Sequence, residues 1–208
     1  MRIALPLGLA LALLLAVLLV RRILKLLLTR KDTEAARQEN LGKQPDSIRL
    51  RRRSFDWQNQ RAVHNLMGPL LARSFSEVGD FSIAEIPQLK VRFLVKPTNS
   101  IYACICEQAK VGIWLDLVSR YEDGSIVTFS TAGDPGVEHR PEDTMVYAPL
   151  LSADMLYTRM VKERPQGNPV RVDAKSVVTL FQDVYREQTE WRKKKASVPT
   201  GAGRAISN

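Results

Sequence analysis

Apolar and polar positions divide the chain into an unbroken apolar opening, a charged stretch, a patterned body and a polar end. Ile3 to Val20, IALPLGLALALLLAVLLV, is an 18-residue stretch without a charge. A helix that crosses about 30 Å of hydrocarbon needs about 20 apolar residues. Ile23-Leu24 and Leu26-Leu27-Leu28 extend the stretch past Arg21, Arg22 and Lys25, whose long stems can carry their charges out to the headgroups. No small-residue cleavage step follows Val20, so the pattern predicts an uncleaved transmembrane anchor over 1–28 rather than a secretory signal.

Residues 29–53 read as a charged juxtamembrane linker, punctuated by Gly42 and Pro45 and ending in Arg49-Leu50-Arg51-Arg52-Arg53. The patterned body spans 54–195. Ser54 is placed to cap a helix. Trp57, Val63, Leu66, Met67, Leu70, Leu71, Phe75 and Val78 then recur at helical spacing. Gly68-Pro69 interrupts that stripe and predicts a kink or two abutting helices. Leu89–Val95, Ile101–Glu107, Val111–Tyr121 and Ile126–Thr131 read as strands. Glu122-Asp123-Gly124-Ser125 between the last two suggests a two-residue hairpin turn.

From Ala132 to Pro149, three prolines and two glycines predict a long irregular loop. Ser152 is placed to cap a helix over Ala153–Glu163, Val170–Val172 reads as a short edge strand, and Asp173 precedes a last helix from Ala174 to about Lys193. Residues 196–208 carry almost no large apolar side chains and are expected to be disordered. These elements predict an α+β chain: one transmembrane helix, then one domain in which an antiparallel meander of about four strands is packed by helices. A kinked helix followed by such a meander resembles the cystatin-like and NTF2-like plan in outline, as do some single-span scaffold subunits of secretion and translocation machines. No motif carries that resemblance residue by residue, and fold alone does not imply function.

Charge changes the picture. The 208 residues carry a formal net charge of +9, but residues 1–53 hold +8, 54–191 hold −4 and 192–208 hold +5. A nucleic-acid binder carries its basic face on the folded body; here the body is mildly acidic, so nucleic acid is not an expected partner. Basic ends beside an apolar segment point to anionic lipid, at about 1 kcal/mol per well-placed Lys or Arg. Arg21, Arg22, Lys25, Arg49, Arg51, Arg52 and Arg53 are the candidate membrane-surface contacts, with Lys193-Lys194-Lys195 at the other end. A solvated linker or a basic strand edge accounts for the arginine run equally. Lys193-Lys195 also suit the C-terminus of a helix. The positive residues after the span place the body on the cytoplasmic side by the positive-inside rule.

Signs of catalysis are sparse. Cys104-Ile105-Cys106 put two thiols on one face of a strand, without the further ligands that a zinc site needs; buried cysteines acting as small apolar groups are expected. Glu107, Asp116 and Arg120, with Lys90, Arg92, Lys96 and Lys110, are expected to line one solvated face of the sheet. No P-loop, dinucleotide fingerprint, nucleophile elbow or metalloprotease motif occurs, and no cofactor or metal is expected. The densest polar cluster that contains a histidine is in the 132–149 loop, where His139 with Glu142 or Asp143 forms a candidate acid–base site if the loop closes over a pocket. Three functions follow as expectations. The first is a membrane-anchored protein-binding or scaffold module without catalytic activity. The second is a ligand binder or enzyme closed by that loop. The third is a lipid-surface binder through Arg49–Arg53 and Lys193–Lys195.

Overall fold

The computed structural model describes residues 45–109 and 111–197. The anchor expected over 1–28 (with Arg21, Arg22 and Lys25), the linker up to residue 44, Lys110 and the tail from residue 198 lie outside the described residues. Among the described residues, no helix is long and apolar enough to cross a membrane.

The domain is α+β, with a larger sheet than the pattern predicts. Seven strands stand in chain order: β1 (Leu50–Arg52), β2 (Ser76–Ile83), β3 (Ile86–Lys96), β4 (Ile101–Gln108), β5 (Gly112–Arg120), β6 (Ile126–Ser130) and β7 (Thr144–Tyr147). Neighbours from β1 to β6 pair antiparallel, and β7 joins β6 in parallel. Helix α1 (Gln60–Ala72) precedes β2, α2 (Ala153–Glu163) follows β7, and α3 (Val177–Ser197) comes last.

The four expected strand runs are β3 to β6; the other three strands are corrections. Leu50–Arg52 pairs with Ile83–Phe81, so the end of the expected linker is a basic strand edge. Phe75 and Val78 leave the helical stripe because Ser74 turns the chain at φ 64°. There the Ser74 N–H donates to the Leu71 carbonyl at 2.9 Å and the Phe75 N–H to that of Leu70 at 3.1 Å, which closes α1 and starts β2. The expected irregular loop ends in β7. A parallel partner needs a crossover of roughly a dozen residues, and residues 131–143 supply it.

Local chemistry explains the other departures. Asn59, not Ser54, caps α1, its side chain accepting from the Ala62 N–H at 2.9 Å. The helix runs unbroken through Gly68-Pro69, held by Val63, Met67 and Leu70 against the core; two abutting helices do not form. Tyr121 N–H donates to the Ser125 carbonyl at 2.9 Å. The β5–β6 turn is therefore the three residues Glu122-Asp123-Gly124, with Gly124 at φ 85°, rather than two. Val170–Val172 forms no strand; Pro169 makes a single bridge to Tyr121. The Asp173 carboxylate accepts from the N–H groups of Lys175 and Ser176, both at 2.9 Å. It holds a turn ahead of α3, which begins at Val177, after the expected Ala174, and ends at Ser197. Ser152 caps α2 as expected, accepting from Met155 N–H.

Both faces of the sheet are covered. On one, Leu94, Ala103, Ile105, Leu115, Leu117 and Phe129 pack against Val63 and Leu70 of α1 and Leu156 and Met160 of α2. On the other, Phe93, Tyr102, Cys104, Cys106 and Val118 pack under Val177, Phe181 and Val184 of α3. The Phe93 ring meets Phe81 at 5.4 Å and Phe181 at 5.2 Å, both edge-on. Seven successive residues of β4, Ile101 to Glu107, are buried, as a central strand between two layers requires. The expected solvated face does not exist. Lys90, Arg92 and Lys96 rim the α1–α2 face, where Lys96 stands over Phe75 and Tyr157.

Candidate functional site

The loop candidates take structural positions. His139 Nε2 lies 3.1 Å from the Tyr147 hydroxyl of β7. Burial, reinforced by the charge of Arg192, pulls the His139 imidazole below its usual value. Asp143 accepts from Arg140 at 2.9 and 3.0 Å, from the Ile126 N–H at 3.0 Å, and from Gln188 of α3. Arg140 also donates to the Gly124 carbonyl at 2.8 Å, and Glu142 lies 3.6 Å from it. These contacts latch the crossover to the β5–β6 turn and to α3. Neither of the two surface grooves described below is lined by His139, Glu142 or Asp143.

The sheet separates the three residues expected on one face. Glu107 is on the α1–α2 side, 3 % exposed. Burial opposes its ionisation. The Lys90 ammonium at 2.8 Å and the N–H groups of Gln58 and Asn59 outweigh that and hold its carboxyl below the ordinary range. Asp116 and Arg120 are on the α3 side. Arg120 bonds Glu187 of α3 at 2.7 Å. Burial pushes the Asp116 carboxyl up from 3.8 to about 6, against hydrogen bonds from Ser130 and from the Trp114 indole at 3.0 Å.

Around Asp116 lie Cys104, its partner in register, then Cys106 and Tyr102. The cysteines are free and buried, and burial raises both thiols well above their ordinary value. They act as small apolar groups, as expected. The Tyr102 hydroxyl and Gln188 Oε1 are buried without a hydrogen-bond partner. An acid between two leucines, WLDLV, was the legible sign of this polar patch; which layer would cover it was not.

The arginine run has the most open surroundings. Arg49 is occupied by Glu85, through its N–H and its Nε, both at 2.7 Å. Arg51 and Arg53 are exposed. Arg52 Nη2 donates to the Val78 carbonyl at 2.6 Å. Beside β1 is a groove of about 470 Å³ that Arg52, Arg53, Ser54 and Arg92 line with Glu77, Gly79 and Asp80. A second groove, of about 310 Å³, lies between the β5–β6 turn and residues 165–168. At the C-terminal end, Lys193 is paired with Asp46, and Lys195 with Glu138 at 2.8 Å. Among the described residues, no group of three or more His, Cys, Asp or Glu is placed to hold a metal. No family model matches the chain, and no curated protein or solved structure does.

Proposed function

We propose that the chain is a single-pass, membrane-anchored binding module, which holds another membrane-associated protein by surface contact rather than by turning over a substrate. The apolar run Ile3–Val20 supplies the tether, and a tether raises the effective concentration of the domain toward partners in the same membrane. The body is assigned to the cytoplasmic side by the arginines and lysine that follow the span.

The observation that carries the reading is that large apolar side chains stand exposed on α1, on α2 and in the turn before α2. Leu150 is 97 % exposed and Met155 56 % exposed, with Leu71 and Val161 also in water. A contiguous apolar patch at a surface marks a contact site, and the reading takes these side chains to form one. The occupant is the apolar surface of a second membrane-associated protein. The test replaces Leu150 with a photo-crosslinking amino acid in the full chain and irradiates intact membranes. A defined second polypeptide is expected, lost with Met155→Asp and Leu71→Asp and kept with Arg53→Gln. Cross-links to lipid alone, or a capture indifferent to Met155→Asp, overturn the reading.

A further inference from the structure

The groove beside β1 is not explained by the packing of the domain. Asp80 is fully engaged: Arg92 grips it in a two-point ion pair at 2.6 and 2.8 Å, and the Trp57 indole donates to it at 3.3 Å. The Arg92 guanidinium in turn stands 5.5 Å from the Trp57 ring centre. This pair builds a rigid, charge-neutral wall. Glu77, an exposed residue, lines the groove 3.5 Å from Arg92.

Arg52 and Arg53 line the same groove, and among the described residues neither forms an ion pair. Arg52 is anchored through Nη2 to Val78 and lies flat on Gly79, where an added Cβ would meet Nη2 at 2.9 Å and Nε at 3.2 Å. Gly79 also has φ +138°, a conformation that other residues rarely adopt. The glycine is therefore what lets a guanidinium rest against the strand. Among the described residues, no side-chain partner engages the Arg53 guanidinium or the Ser54 hydroxyl. Arg52, Arg53 and Ser54 thus line one open polar groove, with Arg52 held in place by the backbone.

We propose that this groove binds a phosphate group, with Arg52 and Arg53 as its charged donors and Ser54 as a neutral one. A planar guanidinium matches the spacing of phosphate oxygens and forms paired, charge-assisted hydrogen bonds to them. The phosphate comes from a lipid headgroup or from a soluble ester; the chemistry in the groove is the same. The site is independent of the protein-binding surface proposed above, so Leu150→Asp leaves it intact.

The test is calorimetric titration of the full chain in a nonionic detergent with two probes, inorganic phosphate and dihexanoylphosphatidic acid. Saturable one-to-one binding is expected. Arg53→Gln and Arg52→Gln should each weaken it about tenfold, the size of one charge-assisted contact. Arg51→Gln, which removes the same charge from the same strand outside the groove, should change it less than about twofold, and Glu77→Gln should tighten it. Tighter binding of the short-chain lipid assigns a headgroup, and equal or weaker binding assigns a soluble ester. Absence of saturable heat with both probes, in variants whose near-UV circular dichroism matches the parent chain, overturns the site. Equal losses from Arg51→Gln and Arg53→Gln also overturn it, since they reduce the effect to diffuse charge.

Discussion

Glu107 on one face of the sheet and Asp116 on the other are two acids treated oppositely. On the α1–α2 face, Glu107 meets a lysine and two backbone N–H groups and is held ionised. On the α3 face, Asp116 meets an indole, a hydroxyl and two thiols, and among the described residues no cation is bonded to it. The first environment favours charge over proton; the second favours the proton, since desolvation without a counter-charge penalises the charged form. Burial alone does not decide whether an acid stabilises this fold. The partner opposite it does.

The apolar part of the comparison is the largest effect. Phe93→Ala, beneath α3, is expected to cost about 3–5 kcal/mol, as for a deleted core aromatic ring. Phe129→Ala on the other face should cost as much. Urea denaturation of the full chain in mild detergent checks both. A markedly smaller loss at Phe93 would show α3 to be a loosely docked layer.

Next comes Asp116→Asn. The Asp116 carboxyl keeps its proton to about pH 6 in the folded chain against 3.8 ordinarily. The folded state therefore binds more protons between those values, and this group's contribution is complete below about pH 4 and lost as pH rises through 6. At pH 8 the variant should be more stable by up to about 3 kcal/mol, from 1.36 kcal/mol per unit; at pH 4 it should gain nothing. Stability measured across pH 4–8 tests both ends.

Glu107→Gln should show the opposite slope. Its folded-state value lies below the ordinary one, so its contribution is present above the unfolded value and lost as pH falls through the folded one. The variant should lose about 1–3 kcal/mol at pH 7, the cost of leaving polar groups without their partner, and close the gap in acid. Parallel pH profiles for the two variants would break the comparison. The smallest effect is at the caps of the α1–α2 layer: Asn59→Ala and Ser152→Ala should each cost about 1 kcal/mol, measured in the same urea titration.

Legibility in the sequence followed the range of the interaction. Ala153–Glu163 was readable to the residue because Ser152, the cap, sits beside a helical stripe. β3 to β6 were readable from β-branched and aromatic runs between turn residues. β2 was hidden because Leu71, Phe75 and Val78 fit helical spacing equally well, and only the turn at Ser74 separates the two periods. The six-residue apolar run of β4, Ile101 to Cys106, announced two covered faces, but the solvated-face expectation passed over it. Of the candidate sites, Arg52 and Arg53 were named from charge alone. The groove, with Trp57, Gly79 and Arg92 around it, depends on β1 pairing with a strand about thirty residues away.

From its residues alone the chain determined its apolar opening, its basic ends and acidic middle, two of its helices in outline and the central hairpins, because each depends on neighbours a few positions apart. Tertiary structure decided which strand lies at each edge, which acid meets a cation, and that β7 runs parallel. Those outcomes rest on pairing and burial between distant segments, where a one-residue change of register exchanges the two faces.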